Sequence, residues 1–295
     1  MGMGRWDSDS STTYRAFAAN ASATNNVRDV YTSRSINTAL NPSGVTLRES
    51  CDSEQNPEST AIIIGLDVTG SMGMMAHEMA KEGLGTLIEG ILDMKPVTDP
   101  HIMFMAIGDE QYDSAPLQVS QFEPDIRIVQ QLKDIFLEGG GGGNDTEGYH
   151  LPWYFAATRT KIDCFEKRGK KGYLFTLGDE NPPEEMRSDR SKYIFGTSEQ
   201  RNISASELLQ MAEEKYHVFH LIVEQGSFAR RALPRVTDKW RQLLGKRAVL
   251  LSDYTHMSQV ILSVMRVSEG EDPDEVIDSW QDAGVKATVR HALFD

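Results

Sequence analysis

The sequence predicts an α/β fold with a doubly wound, mostly parallel central sheet that is flanked by helices. Three observations predict it. Apolar runs rich in β-branched residues recur along the chain, segments with helical spacing of apolar residues lie between them, and polar residues follow several of the runs directly. A strand that is apolar on both faces belongs inside a parallel sheet, and its alternation with helices is typical of this class.

The first unit of this pattern begins at Thr60. Residues 61–66 are apolar throughout, and the run ends at Asp67. Apolar residues then recur with mostly helical spacing over 72–94. This part of the chain therefore predicts a strand, a polar loop and a long helix, in that order.

Further units follow along the chain. Later strands are expected at 101–107, 172–177, 218–223 and 248–251, with a short edge strand at 117–122. Later helices are expected at 125–138, 149–162, 235–244 and 257–267. Another helix is expected to begin at Ser204, which forms a capping box with Glu207. These elements predict one domain over residues 60–268.

The two ends of the chain differ from this domain. Residues 1–59 form a polar N-terminal extension rich in Ser, Thr, Asn and Ala. The polar composition is typical of a disordered tail, whereas the aromatic residues favour an extension that packs on a core or on a partner, and we give the two alternatives equal weight. The aromatic residues include Trp6, Tyr14, Phe17 and Tyr31. Residues 269–295 form a C-terminal tail, which begins acidic and ends in a strand or short helix over 285–294.

Composition excludes several classes of protein. The 295 residues include 30 Lys plus Arg and 44 Asp plus Glu, a net charge of −14, and such a chain repels the phosphates of nucleic acids. No apolar stretch reaches the roughly 18 residues of a membrane-spanning helix. The N-terminus lacks the pattern of a secretory signal, and two cysteines are too few for a disulfide framework. We therefore expect a cytoplasmic protein that binds neither nucleic acid nor membrane.

Oxygen ligands follow the first predicted strand. Asp67, Thr69 and Ser71 alternate in its loop, so a turning chain can direct all three side chains to one point. In open α/β sheets, ligands bind beyond the carboxyl ends of the strands. One carboxylate and two hydroxyls form an oxygen-only site that suits Mg²⁺, with Mn²⁺ or Ca²⁺ as alternatives. No His or Cys stands nearby at the spacing of a zinc site.

The D-x-T-x-S pattern at Asp67, Thr69 and Ser71, between an apolar strand and a long helix, resembles that of the von Willebrand factor type A domain. The resemblance covers about residues 60–268 and is to the intracellular kind found in bacteria and phages. It implies a metal-ion-dependent adhesion site that also uses a Thr after a glycine pair and an Asp after a later strand. Asp179, which follows the predicted strand 172–177, matches that Asp.

The second loop departs from the family pattern. Five glycines at 139–143 are followed by Asn144, whereas the family has a Thr directly after its glycines, and the nearest Thr here is Thr146. An amide oxygen and a hydroxyl are both acceptable metal ligands. Asn144 and Thr146 therefore stay alternatives for the second-loop ligand.

The resemblance implies a non-enzymatic module whose metal binds an Asp or Glu carboxylate of a partner protein. Many similar intracellular proteins are adaptors of AAA+ ATPases, which makes such an ATPase a candidate partner. Met74, Asp109 and Glu180 are expected on the rim that contacts the partner. Alternatively, the segment that holds Asp109, Glu110 and Asp113 is a solvated acidic loop.

Two other functions stay open. An apolar strand followed by Asp-x-Thr-Gly also resembles Mg²⁺-dependent phosphohydrolases that form an aspartyl-phosphate, with Asp67 as nucleophile. Thr69 counts against this reaction, because many such enzymes have a second acid at that position. The other alternative is a structural assembly or virion-associated subunit with a vestigial metal site.

Overall fold

The computed structural model describes residues 4–24, 26–70, 72–140, 145–197 and 199–295. Within these ranges, the strands in chain order are β1 (Arg48–Ser50), β2 (Thr60–Asp67), β3 (Pro100–Ile107), β4 (Leu117–Val119), β5 (Thr160–Ile162), β6 (Gly172–Gly178), β7 (Glu185–Met186), β8 (Ile203–Ser204), β9 (Tyr216–Val223) and β10 (Ala248–Leu251). The α-helices are α1 (Ser8–Ser22), α2 (Val27–Val30), α3 (Gly73–Glu78), α4 (Leu84–Met94), α5 (Arg127–Lys133), α6 (Leu151–Arg159), α7 (Asp163–Arg168), α8 (Ser188–Phe195), α9 (Ala205–Glu213), α10 (Ala229–Leu244), α11 (Met257–Ser268), α12 (Pro273–Ser279) and α13 (Ala283–Phe294).

A six-stranded sheet forms the centre of the molecule, in the order β10-β9-β6-β2-β3-β4. All neighbouring strands are parallel except β4, which runs antiparallel to β3 at the edge. The chain leaves β2 towards β3 and β4 and then returns to the other side of β2 at β6. The strand order therefore reverses beside β2, and the predicted doubly wound, mostly parallel sheet is confirmed.

Both faces of the sheet are covered by helices. Successive side chains of β2 point to opposite faces, so Ile62 and Ile64 join one hydrophobic cluster and Ile63 joins the other. The first cluster includes residues of α1, α3, α4, α5, α11 and α13. The second includes residues of α6, α8, α9 and α10. This double burial explains why residues 61–66 of β2 are all apolar.

Several predicted elements differ in extent, and the helix expected over 72–94 consists of α3 and α4 joined by a π-helical turn at Met79–Gly83. The helix expected at 149–162 ends at Arg159, because Thr160–Ile162 pairs with β1. The helix expected at 125–138 covers only Arg127–Lys133, and the edge strand covers only Leu117–Val119. The helix expected from residue 235 already begins at Ala229 and kinks at Ala232, two residues before Pro234.

The described part of the N-terminal extension packs on the core. α1 lies against the helices that follow β2, and Trp6, Tyr14, Phe17 and Tyr31 are buried in the first hydrophobic cluster. The Tyr31 hydroxyl donates to the Ala76 carbonyl at 2.6 Å. Of the two expectations for this segment, the structure therefore favours packing over disorder.

The C-terminal tail forms two helices, α12 and α13, and α13 packs on α11 and β10. The domain boundaries at residues 60 and 268 remain predictions. In the described ranges, no helix has the length and apolar character needed to cross a membrane.

Candidate functional site

The three loops expected to form the site meet at the carboxyl edge of the sheet. The Gly70 amide of the first loop donates to the Gly140 carbonyl of the second loop at 2.8 Å. Thr146 of the second loop pairs through its backbone with Asn181, which lies two residues after Asp179. All three loops thus lie where the strand order reverses, the position at which open α/β sheets bind ligands.

Asp67 is the centre of the first loop. It ends β2, is fully buried, and accepts hydrogen bonds at Oδ1 from the Thr69 amide at 3.0 Å and the Thr69 hydroxyl at 2.6 Å. Its Oδ2 accepts from the Tyr149 hydroxyl at 2.7 Å. Since Thr69 uses its proton on Asp67, the lone pairs of its oxygen stay free to bind a cation. Burial raises the pKa of Asp67 to about 6, and the nearby Asp179 adds to the rise.

Asp179 follows β6 directly and is 1% exposed. Its Oδ2 accepts from the Phe228 amide at 2.7 Å, whereas its Oδ1 is buried without a hydrogen-bond partner. The loop after β9 comes so close that a Cβ added to Gly226 would lie 2.2 Å from the Asp179 Cβ. Burial raises the pKa of Asp179. One oxygen of Asp179 thus fixes the side chain, and the other is free for a ligand.

Two predicted ligands, Ser71 and Asn144, lie outside the described residues. Thr146 is half-buried beside Asn181, which donates from its amide side chain to the Asp145 carbonyl at 2.9 Å. The choice between Asn144 and Thr146 therefore stays a prediction.

Tyr149 was not predicted as part of the site. Its fully buried ring packs edge-on against His220 and Trp240, with centroid distances of 4.9 and 5.6 Å. The Trp240 indole in turn donates to the Glu180 carbonyl at 2.8 Å. This network holds the hydroxyl of Tyr149 against Asp67. The sequence carries no signal for it, because the partners come from β2, β9 and α10.

Glu147 was also missed, although it stands next to Thr146. It is 4% exposed, and its Oε2 has no hydrogen-bond partner. Burial raises its pKa to about 10, and the charges of Asp67, Glu180 and Asp109 add to the rise. Its place next to Thr146 in the sequence could have indicated a site residue. Its burial, however, depends on tertiary packing and is visible only in the structure.

The predicted rim residues have different environments. Met74 is half-buried and packs against the first hydrophobic cluster. Glu180 is also half-buried, and burial raises its pKa to about 8. Asp109 is fully buried, and its amide donates to Asp113 Oδ2 at 2.8 Å. Asp113 is buried as well, with 7% of its surface exposed. The alternative of a solvated acidic loop is therefore wrong for these two residues.

The donor set fits a divalent cation. In the described part of the chain, Asp67, Glu147, Asp179 and Glu180 form no ion pair, and buried carboxylates without a compensating charge are costly. No three His, Cys, Asp or Glu side chains of the described residues are grouped so that they could hold a metal by themselves. A metal at Asp67, Thr69 and Asp179 must therefore complete its shell with hydroxyls, an amide or water, as Mg²⁺ commonly does.

Comparisons with known proteins give similarity at the level of structure only. No protein-family model and no curated protein matches the sequence. Similar solved structures include the pilus adhesin SpaC from Lactobacillus rhamnosus GG in its open conformation, with a TM-score of 0.47 and 10% identity over 77% of this chain and 31% of that chain. A von Willebrand factor type A protein from Catenulispora acidiphila has a TM-score of 0.39 and 13% identity, over 73% of this chain and 44% of that chain.

A third similar structure is proximal thread matrix protein 1 from the mussel byssus with a zinc-occupied MIDAS motif. It has a TM-score of 0.41 and 10% identity, over 74% of this chain and 48% of that chain. The chain spans less than half the length of each of these three solved chains. Because every identity is 13% or lower and every TM-score is below 0.5, we base the function on the residues of this chain.

Proposed function

We propose that this chain is a cytosolic protein-interaction module like the von Willebrand factor type A domain. It binds Mg²⁺ and, through the metal, an Asp or Glu carboxylate of a partner protein. The residues that would hold the metal are Asp67, Thr69, Ser71 and Asp179, with Asn144 or Thr146 from the second loop.

One observation carries the proposal above all others. Asp179 Oδ1 is buried without a partner, in a group of carboxylates that includes Asp67. An unpaired buried oxygen of this kind is costly unless a ligand binds it. The Phe228 amide and the Tyr149 hydroxyl hold Asp179 and Asp67 in place, so the donors are preorganised.

The net charge of −14 makes the metal necessary for the proposed recognition. An acidic chain repels a partner carboxylate unless the local sign of the charge is reversed. When bound, Mg²⁺ supplies that positive charge and an open coordination position. Thr69 and Ser71 are neutral ligands, so they leave most of this charge for the partner.

The test is affinity purification from lysate with Mg²⁺ or EDTA, read by mass spectrometry. The wild type should recover a set of partners only with Mg²⁺, and the variant Asp67→Ala/Ser71→Ala should lose that set while staying folded. Asp278→Ala, on the exposed surface of α12, is the matched control. Recovery of the same partners in EDTA would contradict the proposal. The expected AAA+ ATPase is identified or rejected by the same spectra.

A phosphate-ester assay tests the enzymatic alternative. Both carboxylate oxygens of Asp67 accept hydrogen bonds and the side chain is fully buried, an environment that disfavours a nucleophile. We therefore expect no Mg²⁺-dependent turnover. If the wild type hydrolyses the ester and Asp67→Asn does not, the protein is a phosphohydrolase and the proposed interaction module is contradicted.

A further inference from the structure

A pocket of about 310 Å³ lies beside the three loops. The loop after β3, the second loop and the loop after β6 enclose it. We call it the acidic pocket, because its lining carboxylates are Asp109, Glu110, Asp145, Glu147, Glu184 and Glu185. Only two lysine or arginine side chains, Arg187 and Lys239, line it among the described residues.

Three carboxylates of the acidic pocket have an oxygen without a hydrogen-bond partner. These atoms are Asp109 Oδ2, Glu110 Oε1 and Glu147 Oε2, and all three are buried. Asp109 is 0% and Glu147 4% exposed. These three acceptor oxygens receive no hydrogen bond from the protein, which is expected of a site that binds a donor from outside.

The remaining charges of the pocket do not offset these oxygens. Asp145 pairs with Arg235, and Glu185 accepts from the Asn202 amide side chain at 2.7 Å. Arg187 pairs with Asp189 at 3.1 Å, and Lys239 forms no ion pair in the described part of the chain. Glu110 has one partial compensation, because its Oε2 lies 2.9 Å from His150 Nε2. The acidic pocket therefore retains a surplus of negative charge.

The arrangement suits an organic cation that has several donors. A guanidinium group presents five N–H donors in a planar fork and can bind acceptors that are spread over a pocket wall. The volume of about 310 Å³ is ample for the end of one side chain.

We infer that the acidic pocket binds the guanidinium group of an arginine side chain on the partner protein, with Asp109 and Glu147 as its principal acceptors. Residues 145–147 line the pocket and belong to the second loop of the metal site, so the two sites are adjacent. The inference rests on the proposed function in one respect: the arginine is assigned to the same partner that presents the carboxylate. The recognised segment then carries an acidic residue and an arginine close together.

The test uses N-acetyl-arginine amide as the probe, titrated into the full chain with Mg²⁺ present and followed by NMR. N-acetyl-citrulline amide, which has the same shape without the charge, is the matched ligand. We expect saturable binding of the arginine probe and none of the citrulline probe. Glu147→Gln and Asp109→Asn should each weaken binding about tenfold or more, because each removes a buried carboxyl oxygen that would accept from the guanidinium group. Asp278→Asn, on the exposed surface of α12 and outside the pocket, should leave it unchanged.

A stability measurement separates this role from a structural one. Glu147→Gln removes a buried carboxylate that has an unpartnered oxygen, so the variant should unfold at a higher temperature than the wild type while it binds the probe more weakly. A carboxylate needed only for folding would give a lower unfolding temperature instead. That result would overturn the inference.

Failure of the inference can be told from failure of the proposed function. Asp67→Ala/Ser71→Ala should lose Mg²⁺ and the partner proteins but still bind the arginine probe. If wild type binds Mg²⁺ but not the arginine probe, or binds both probes equally, the acidic pocket is not an arginine site. If Mn²⁺ titration shows a second ion that Glu147→Gln removes, the pocket is a cation site and the inference is wrong.

Discussion

Asp67 depends on residues that are far from it in sequence. Thr69 follows it in the same loop, whereas Tyr149 lies just before α6, 82 positions along the chain. A buried carboxylate keeps a fixed orientation only if its oxygens have partners. Tyr149 is therefore a positioning residue for the proposed metal site.

Tyr149→Phe should destabilise the fold and weaken Mg²⁺ binding. It leaves Asp67 Oδ2 buried without its donor, which costs about 1–3 kcal/mol, and loss of a group that orients a metal ligand typically lowers affinity about 10–100-fold. Urea denaturation and isothermal titration calorimetry measure the two effects. Tyr154→Phe is the control, because that hydroxyl donates to Glu199. Unchanged Mg²⁺ affinity in Tyr149→Phe would show that Asp67 needs no such support.

His101 makes stability depend on pH at the opposite end of β3. It is fully buried, its Nδ1 lies 3.1 Å from the Ser50 hydroxyl, and burial lowers its pKa from 6.5 to about 4. The unfolded chain therefore binds a proton below pH 6.5 that the folded chain does not bind until about pH 4. The free energy of unfolding should fall as the pH falls through this window.

The size of this effect is testable with one variant. A shift from 6.5 to about 4 corresponds to a loss of up to about 3 kcal/mol between pH 7 and pH 4. His101→Gln should remove that part of the pH dependence, measured by urea denaturation at a series of pH values. If the free energy of unfolding depends on pH in the same way in the variant and the wild type, other groups cause the pH dependence.

The loops of the site are held together by close backbone packing. Gly70 contacts Gly140, and Gly226 lies against the side chain of Asp179. A Cβ at position 226 would lie within 2.2 Å of the Asp179 Cβ, a distance that forces one of the two to move. The position of Asp179 thus depends on the loop after β9.

Gly226→Ala should therefore weaken Mg²⁺ binding and destabilise the fold by about 1–3 kcal/mol, the usual cost of overpacking. Calorimetric titration measures the affinity for Mg²⁺, and thermal unfolding measures the stability. Gly44→Ala is the matched control, because the nearest atom to its added Cβ is 4.0 Å away. Wild-type affinity in Gly226→Ala would show that Asp179 is not needed in its present position.

α1 is an integral part of the core. A Cβ added to Gly85 of α4 would lie 2.3 Å from the Tyr14 ring, which shows how closely the two helices pack. Phe17 is 6% exposed in the same cluster. The extension therefore stabilises the helices that follow the first metal loop.

Phe17→Ala should lower the free energy of unfolding by about 3–5 kcal/mol, because it leaves a cavity in the core. Urea denaturation measures the change. Arg15→Ala, on the exposed side of α1, should change it by less than about 0.5 kcal/mol. Equal stability of Phe17→Ala and wild type would mean that α1 does not pack on the core in solution.

Elements with a strong local signal could be predicted from the sequence. β2 and β10 are buried apolar runs, and the helix at Ser204 has its capping hydrogen bond from the Glu207 amide to the Ser204 hydroxyl. The end of α6 at Arg159 could not be predicted, because Thr160–Ile162 becomes a strand only by pairing with residues far away in sequence.

The same reasoning applies to the site. Asp67 and Asp179 follow recognisable strands, so their positions could be inferred. Tyr149 and the buried state of Asp109 could not, because they depend on how loops and helices pack around the sheet. Sequence patterns locate strand ends, whereas burial and orientation of side chains are set by tertiary contacts.

At the scale of the whole molecule, a net charge of −14 is accompanied by a group of buried carboxylates at one edge of the sheet. Without a cation, these groups repel each other and any acidic partner. With a cation bound, the same edge would attract an acidic partner. We therefore expect the three loops to bind a divalent cation.

The most direct measurement is a calorimetric titration of Mg²⁺ into wild type and Asp179→Asn. The variant keeps the size of the side chain but removes the charge of the unpartnered oxygen. We expect saturable binding of Mg²⁺ at this site in the wild type, an affinity about tenfold or more lower in the folded variant, and unchanged affinity in Asp278→Asn. Absence of saturable binding in the wild type, or equal affinity in Asp179→Asn, would contradict this expectation.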